Sequence, residues 1–323
     1  MERREVDIAG ESRPGWQKRP IPFLPRLATR CGNSKMASPG RVTKLRRFIL
    51  SADSPANSAE IRPMTAPLLT VDNSAPWTIV TLNRPDKMNA LNRPLLDALL
   101  AELDALAIRR DVRAVIFAGA GDKAFCAGAD LKERAGMSAE ETRAFLLRIR
   151  RVMDFVERLP MPTIAAIDGF AFGGGCELAL ACDMRVVSER TKIGLTECAL
   201  GIIPGAGGTQ RLPRLVGPSV AKELIFTARK LTGEDAHRLG LANHLVPAGQ
   251  ALGKAQELAE EIGRCAPIAV ETAKAAIEGG LDCGISEGML LEQRAYEITL
   301  YTEDRLEALS AFREKRAPNF QGR

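Results

Sequence analysis

Two glutamates lie in apolar surroundings, where an ionised carboxylate is costly. Glu177 follows three consecutive glycines, and Glu197 lies within TECALGIIPGAGG. Removal from water raises the pKa of a carboxyl group, so that it can take up or release a proton near neutral pH. Two such groups in one pocket could hold a water molecule and move its protons. The sequence equally allows each glutamate to form a buried salt bridge, with Arg185 or Arg211 as the partner.

Two glycine-containing loops could supply hydrogen-bond donors to the same pocket. AFCAGADLKE follows the strand-like run VRAVIFAGA, and GFAFGGGCE follows PTIAAIDG and begins a helix. Loops of this kind, and the first turn of a helix, leave backbone N–H groups without partners. Two such groups could form an oxyanion hole, which stabilises an oxygen that gains negative charge during a reaction. The glycines could instead serve only tight turns or close packing.

Several other classes of site are excluded by the sequence. There is no GxxxxGK[ST] phosphate loop, no GxGxxG motif after a strand and no GxSxG nucleophile motif. His237 and His244 are too few for a histidine-based metal site, and the seven cysteines include no CxxC pair. Scattered cysteines in apolar runs indicate reduced, buried thiols. No segment is long and uncharged enough to span a membrane.

The basic charge belongs to the N-terminal segment. The chain of 323 residues carries a formal net charge of +5, but residues 1–63 carry +7 and the rest carries −2. A nucleic-acid role therefore cannot be inferred from the net charge. Residues 1–63 are rich in Pro, Arg and Ser and are predicted to be disordered. They form either a mitochondrial-type transit peptide or a segment upstream of a working start at Met36 or Met64. Acidic residues close to Met1 favour the second interpretation.

Short β-rich runs alternate with helical patterns from Leu68 to about residue 215. Strands are predicted at WTIVTL, VRAVIFAGA, PTIAAIDG, MRVVSE and KIGL, and helices at residues 92–107, at 138–159 and from Glu177 to Cys182. The second of these helices begins with SAEE, which is a capping-box pattern. After residue 215 the pattern is helix after helix. The sequence thus predicts an α/β core followed by a helical C-terminal region.

Five motifs, in this order, resemble those of the crotonase (enoyl-CoA hydratase/isomerase) superfamily. They are DKMNALN, AFCAGADLKE, GFAFGGGCELALACD, GLTECALGIIPGAGGTQRLPRLVG and AFREKRAPNF. The resemblance implies an α/β fold with a spiral core of repeated ββα units in residues 64–262. It also implies a C-terminal helical trimerisation region in residues 263–323. Members of the superfamily form trimers, often paired as hexamers, so we expect a homo-oligomer.

The resemblance also implies a role for each residue of the site. Glu177 and Glu197 are expected to add water across a 2,3-enoyl-CoA, with Glu197 exchanging the proton at C2 and Glu177 activating the water. Ala129 and Gly174 are expected to hold the thioester oxygen through their N–H groups. The implied substrate-binding residues are Ala127, Asp130, Leu131 and Lys132 along the acyl-CoA path, Lys87 and Met88 near the CoA, and Phe312 and Lys315, which reach a neighbouring subunit's ligand. No metal and no cofactor are implied, because coenzyme A is part of the substrate.

The acyl group of the substrate is open. Both glutamates are present, whereas isomerases of this family typically lack the one that matches Glu177, so hydration is favoured. Thr196 stands where straight-chain enoyl-CoA hydratases usually have proline. In this respect the chain is similar to the methylglutaconyl-CoA hydratase branch, so hydration of 3-methylglutaconyl-CoA is the alternative. We expect a bacterial cytoplasmic enzyme or, if residues 1–63 are a transit peptide, an enzyme of the mitochondrial matrix.

RNA binding is the alternative from another class of function. The methylglutaconyl-CoA hydratase branch contains an RNA-binding member, whose RNA contact is attributed to a lysine-rich helix. The corresponding helix here, at residues 92–110, carries Asp97, Glu102 and Asp104 and no lysine. Because phosphate binding needs clustered cations, we expect neither a nucleic-acid nor a membrane partner.

Overall fold

The computed structural model of the protein describes residues 66–323. The predictions for residues 1–63, including a start at Met36 or Met64, lie outside the described residues. Within the described residues no helix combines the length and the apolar character needed to cross a bilayer.

Within residues 66–323, ten strands form two sheets. In chain order they are β1 (Leu69–Asp72), β2 (Thr78–Leu82), β3 (Val115–Gly119), β4 (Ala124–Cys126), β5 (Thr163–Ile167), β6 (Phe170–Phe172), β7 (Met184–Ser188), β8 (Lys192–Gly194), β9 (Leu231–Thr232) and β10 (His244–Val246). One sheet has the order β1-β2-β3-β5-β7-β10 and the other the order β4-β6-β8-β9. The β1–β2 and β8–β9 pairs are antiparallel, and all the others are parallel.

Eleven α-helices accompany these strands in the described part of the chain. They are α1 (Arg93–Ala107), α2 (Leu131–Arg134), α3 (Ala139–Glu157), α4 (Gly174–Ala181), α5 (Gly208–Val216), α6 (Pro218–Phe226), α7 (Gly233–Arg238), α8 (Ala251–Gly263), α9 (Pro267–Leu281), α10 (Ile285–Leu300) and α11 (Glu303–Glu314). Two short 3₁₀ helices cover Pro85–Lys87 and Glu197–Leu200. At the start of α3, Ser138 and Glu141 form the predicted capping box.

From β3 to β8, consecutive strands alternate between the two sheets. β3, β5 and β7 of the six-stranded sheet are followed directly by β4, β6 and β8 of the four-stranded sheet, and each pair is followed by helical structure. This repeated ββα unit confirms the predicted α/β fold class. Because β4, β6 and β8 are parallel neighbours, the segments that follow them leave the same edge of the four-stranded sheet.

The short helix α4 is buried over its whole length. All eight of its residues lie in the core, and Glu177 is its one charged residue. Helices that are apolar on every side belong in protein interiors. Gly175 can occupy its place because it lacks a side chain, since a Cβ atom there would collide with the carbonyl group of Cys126 at the end of β4. The close approach of α4 to β4 therefore fixes where Glu177 lies.

Apart from the main apolar core, a smaller apolar cluster packs against the six-stranded sheet. Ala251, Ala255 and Ala259 of α8 are fully buried there against strand residues such as Ile116 and Ile164. The three alanines recur every four residues and so lie on one face of the helix. Their small side chains let α8 pack close to the sheet.

The C-terminal helices expose much apolar surface within the single chain. Neither α9 nor α10 has a buried residue. The exposed apolar residues include Ile285, Met289, Tyr296, Tyr301 and Phe312. The role of residues 263–323 in trimerisation remains a prediction from the sequence.

The shortest strands were not predicted. The sequence suggests only helices after residue 215, but β9 and β10 lie among them. β4 and β6, with three residues each, lie inside segments predicted as loops. Runs of two or three residues are too short to show the alternation that identifies a strand. The helix predicted from Glu177 in fact begins at Gly174, three residues earlier.

The core makes a specific prediction about stability. Leu103 in α1 is 1% exposed, whereas Ile108, just beyond that helix, is 80% exposed. Leu103→Ala should lower the free energy of unfolding by about 2–5 kcal/mol, because it removes buried apolar contacts and leaves a cavity. Ile108→Ala should change it by less than about 0.5 kcal/mol. Urea denaturation of the two variants measures both effects, and equal losses would contradict the described burial.

Candidate active site

Glu177 and Glu197 are positioned by two neighbouring strands. Phe172 at the end of β6 pairs with Gly194 at the end of β8. The helix that carries Glu177 begins directly after β6, and the 3₁₀ helix that begins with Glu197 follows shortly after β8. Because these strands are parallel, both glutamates leave the same sheet edge. Their side chains contribute to one cavity.

A glycine at position 173 leaves room for the second carboxylate. Gly173 has a φ of +52°, a conformation that side chains disfavour, and its N–H donates to the carbonyl oxygen of Gly194. A Cβ atom at this position would lie 3.3 Å from Oε1 of Glu197. The turn between β6 and α4 therefore passes directly beside the Glu197 carboxylate.

The cavity that contains both glutamates has a volume of about 830 Å³. This volume lies in the range of small-molecule sites, which are usually apolar with a few placed polar groups. Its apolar lining comes largely from three segments: residues 127–131, residues 145–149 of α3 and residues 199–203. Ala129 and Gly174 line it together with the two glutamates.

Two backbone N–H groups are available at the cavity wall. The N–H of Ala129 and that of Gly174 donate to no other group among the described residues, although their neighbours Asp130 and Gly173 do donate. The two segments are in close contact, since a Cβ atom added to Gly128 would lie 3.2 Å from the nitrogen of Gly174. Such a pair of unpaired donors can hold an oxygen that gains negative charge.

The two carboxylates differ in how they are stabilised. Oε1 of Glu177 accepts hydrogen bonds from the N–H groups of Ala206 and Gly208, at 2.7 and 2.9 Å. Burial raises the pKa of Glu177 in spite of these two donors. Oε2 of Glu197 is buried without a hydrogen-bond partner among the described residues.

Of the two glutamates, Glu197 has the more strongly raised pKa. Burial, and then the nearby charge of Glu177, raise its pKa to about 7. The prediction of a raised pKa at Glu197 is therefore confirmed, with desolvation as its main cause. At Glu177 the two amides oppose the effect of burial on the pKa, whereas at Glu197 the nearby charge of Glu177 adds to it.

Within residues 66–323, neither glutamate forms a salt bridge with an arginine. Arg185 donates to backbone carbonyl groups, including those of Cys182 and Leu241 at 2.6 Å. Arg211 pairs with Glu157 at 2.7 Å and with Asp154 at 3.2 Å. The alternative interpretation, in which Arg185 or Arg211 neutralises a buried glutamate, is therefore wrong, because both guanidinium groups have other partners.

The substrate-path residues predicted next to the cavity separate into two groups. Ala127 and Leu131 line the cavity. Asp130 and Lys132 are not among the lining residues. The Asp130 carboxylate caps α2 and pairs with Arg84 at 3.0 Å, and Lys132 lies exposed in the first turn of that helix. Asp130 therefore stabilises the loop between β4 and α2 and does not line the cavity.

The more distant predicted residues also lie outside the cavity of the single chain. Lys87 pairs with Asp86 at 3.2 Å at the surface. Met88 is exposed, but its carbonyl oxygen accepts the N–H of Ala127 and so connects it to the cavity wall. Phe312 is 84% exposed on α11, and Lys315 caps the end of that helix. Their contacts with coenzyme A or with a neighbouring subunit's ligand stay predictions.

Sequence reasoning missed part of the site. The amides that hold Glu177 belong to PGAGG, a glycine-rich segment to which the sequence analysis assigns no role of its own. Its glycines and its position just after Glu197 were the available signal. The wall formed by Arg134, Thr142 and Phe145 was also missed, because their convergence depends on tertiary structure that the local sequence does not show.

Comparison with known proteins identifies the family. Residues 74–323 match the profile of "Enoyl-CoA hydratase/isomerase". The chain belongs to this family. It is 49% identical over 250 residues to the mouse protein "Enoyl-CoA hydratase domain-containing protein 2, mitochondrial", with 76% of this chain and 84% of that protein covered. It is 48% identical over 248 residues to mouse "Methylglutaconyl-CoA hydratase, mitochondrial", with 76% and 79% covered.

A solved structure of the same family supports the fold. The crystal structure of enoyl-CoA hydratase from Bacillus anthracis is 48% identical and superposes with a TM-score of 0.79. The superposition covers 80% of this chain and 100% of that chain. The chain is therefore an enzyme of the enoyl-CoA hydratase/isomerase family with the crotonase fold, as the resemblance implied.

The raised pKa of Glu197 predicts a pH-dependent stability. The folded protein binds this proton more tightly than the unfolded chain does, so the stabilisation is complete below about pH 4.5 and is lost as the pH rises through about 7. Relative to Glu197→Gln, the wild-type protein should therefore lose up to about 3 kcal/mol over this interval. Denaturation midpoints at several pH values measure the effect. Exposed Glu189, changed to Gln, should leave the pH dependence unchanged. If the difference in stability between the wild-type protein and Glu197→Gln does not change with pH, the assigned pKa is contradicted.

Proposed function

We propose that the protein hydrates 2,3-enoyl-CoA thioesters to 3-hydroxyacyl-CoA. The observation that supports this most directly is the presence of two carboxylates, Glu177 and Glu197, in one cavity beside the free amides of Ala129 and Gly174. Addition of water needs a group that removes a proton from water, a group that delivers a proton to carbon, and donors for the thioester oxygen. The site offers one candidate for each of these tasks.

The proposed reaction distributes the protons between the two glutamates. Glu177 accepts a proton from the water molecule as its oxygen forms a bond to C3. The electron pair of the double bond moves toward the thioester, whose oxygen becomes an enolate oxygen held by the two amides. Such a donor is worth about 3–4 kcal/mol in comparable sites. Glu197 then delivers a proton to C2, which restores the thioester carbonyl group.

The glutamate pair gives the first test of this reaction. Purified protein should consume crotonyl-CoA, followed as a loss of enoyl absorbance. Glu197→Gln and Glu177→Gln should each lower kcat by about 10²–10⁴-fold, because each removes a general acid or base. Glu278→Gln is the matched control: its carboxyl pKa is also raised to about 7 by burial, but it lies on α9 and does not line the cavity. Near-native turnover by Glu197→Gln would contradict the proposal.

The acyl group is a second question, on which the relatives differ. Straight-chain enoyl-CoA hydration would place the enzyme in fatty-acid β-oxidation. The similarity to "Methylglutaconyl-CoA hydratase, mitochondrial", together with Thr196, supports 3-methylglutaconyl-CoA as the alternative substrate of a leucine-degrading enzyme. A panel of straight and branched enoyl-CoA thioesters separates these two possibilities. Relatives named mitochondrial, together with a bacterial structure, leave both the matrix and the bacterial cytoplasm as proposed compartments.

A homo-oligomer is proposed from the surface of the C-terminal helices. Ile285, Met289 and Tyr296 of α10 and Phe312 of α11 are more than half exposed in the single chain. Exposed apolar surface of this extent marks an interaction site. Light scattering should give three or six times the chain mass of 34.9 kDa. Met289→Glu and Tyr296→Glu together should lower the mass toward that of one chain, and a monomeric wild-type protein would contradict the assembly.

A further inference from the structure

One wall of the cavity combines apolar side chains with an arginine. Phe145, Leu146 and Ile149 of α3 line this wall, and Arg134 at the end of α2 lines it beside them. Arg134 is partly buried. A cation in an otherwise apolar wall is a placed polar group that can receive an anionic part of a ligand.

Arg134 has no carboxylate partner within the described residues. Glu133 and Glu141, the acidic residues beside it on α2 and α3, both lie 3.8 Å from Arg93. No salt bridge and no side-chain hydrogen bond of Arg134 occurs among residues 66–323. Because Arg93 contacts both of these acids, neither of them pairs with Arg134, which lines the cavity.

The other cation at the cavity is already engaged. Nζ of Lys230 lies 4.8 Å from the centre of the Phe172 ring, in a cation–π contact. Lys230 directly precedes β9 in the chain. Of the two cations that line the cavity, Arg134 is therefore the one without a partner among the described residues.

The electrostatics of the cavity favour an anion beside Arg134. Glu177 and Glu197 make the cavity unfavourable for a further negative charge unless a cation is placed to receive it. A guanidinium group offers a planar pair of donors that matches a carboxylate. An arginine would add nothing to the binding of a purely aliphatic acyl chain, for which the apolar side chains alone suffice.

We infer that Arg134 binds a carboxylate at the far end of the acyl chain, so that the preferred substrates are 2,3-enoyl-CoA thioesters whose acyl group is a dicarboxylic half-thioester. The inference rests on the proposed hydratase function for the position of the acyl chain. It makes Arg134 a residue that determines substrate specificity and takes no part in the proton transfers.

Two substrates of similar length test this assignment. Glutaconyl-CoA ends in a carboxylate, and 2-hexenoyl-CoA ends in an alkyl group. The wild-type protein should have the higher kcat/KM for glutaconyl-CoA. Arg134→Met should lower that value by about tenfold or more, mainly through KM, and should change the value for 2-hexenoyl-CoA by less than twofold. Arg134→Lys keeps the charge but loses the planar donor pair. Its kcat/KM for glutaconyl-CoA should lie between those of the wild-type protein and of Arg134→Met.

Control variants and a binding measurement separate the inference from the proposed reaction. Arg150→Met removes an exposed arginine of α3 that pairs with Asp154 outside the cavity, and should not alter the substrate preference. Calorimetry with the unreactive glutaryl-CoA and hexanoyl-CoA reports the same preference without catalysis. Absence of hydration with either enoyl-CoA would overturn the proposed function, while a lost glutaryl preference in Arg134→Met would still support the inference. An equal effect of Arg134→Met on both acyl groups, or no effect, would overturn the inference.

Discussion

The site depends on placing two carboxylates in one apolar cavity. Moving a carboxylate from water into a protein interior costs several kcal/mol unless the charge is held by hydrogen bonds or removed by protonation. The structure uses both solutions. Glu177 is held by the amides of Ala206 and Gly208, and Glu197 has a pKa raised to about 7. The asymmetry between the two glutamates follows directly from this difference in local partners.

The two-sheet architecture brings these groups together. β4, β6 and β8 are short parallel neighbours, and each is followed by a segment that enters the cavity. The loop after β4 brings Ala129, the turn after β6 brings Gly174 and then Glu177, and the turn after β8 brings Glu197. The close contacts require glycine at particular points: a side chain at Gly175 would meet β4, and one at Gly128 would approach the amide of Gly174. The glycines therefore set the distances on which the chemistry depends.

The long elements and the glutamate pair could be predicted from the sequence, whereas the walls of the site could not. α1 and α3 carry clear helical periodicity, and the capping box at Ser138 marks a helix start by chemistry that involves only four residues. β4 and β6 escape prediction because three residues show no alternation. A carboxylate among apolar neighbours is visible in a sequence, because such neighbours indicate that the segment is buried. The fact that Arg185 and Arg211 bind elsewhere depends on tertiary contacts between distant segments.

The groups proposed for catalysis and the residues proposed for substrate specificity lie on different kinds of element. The parts proposed to carry the chemistry lie on buried strand ends and on a fully buried helix, where neighbouring backbone leaves little freedom. Arg134 lies instead at the end of the four-residue helix α2, and Thr142 lies near the start of α3; both line the cavity. Under the proposed binding mode, a substitution there should change the charge that faces the acyl chain and leave β6 and β8 in place. The groups proposed for proton transfer are therefore held by buried elements, whereas the wall proposed to bind the acyl chain lies outside those elements.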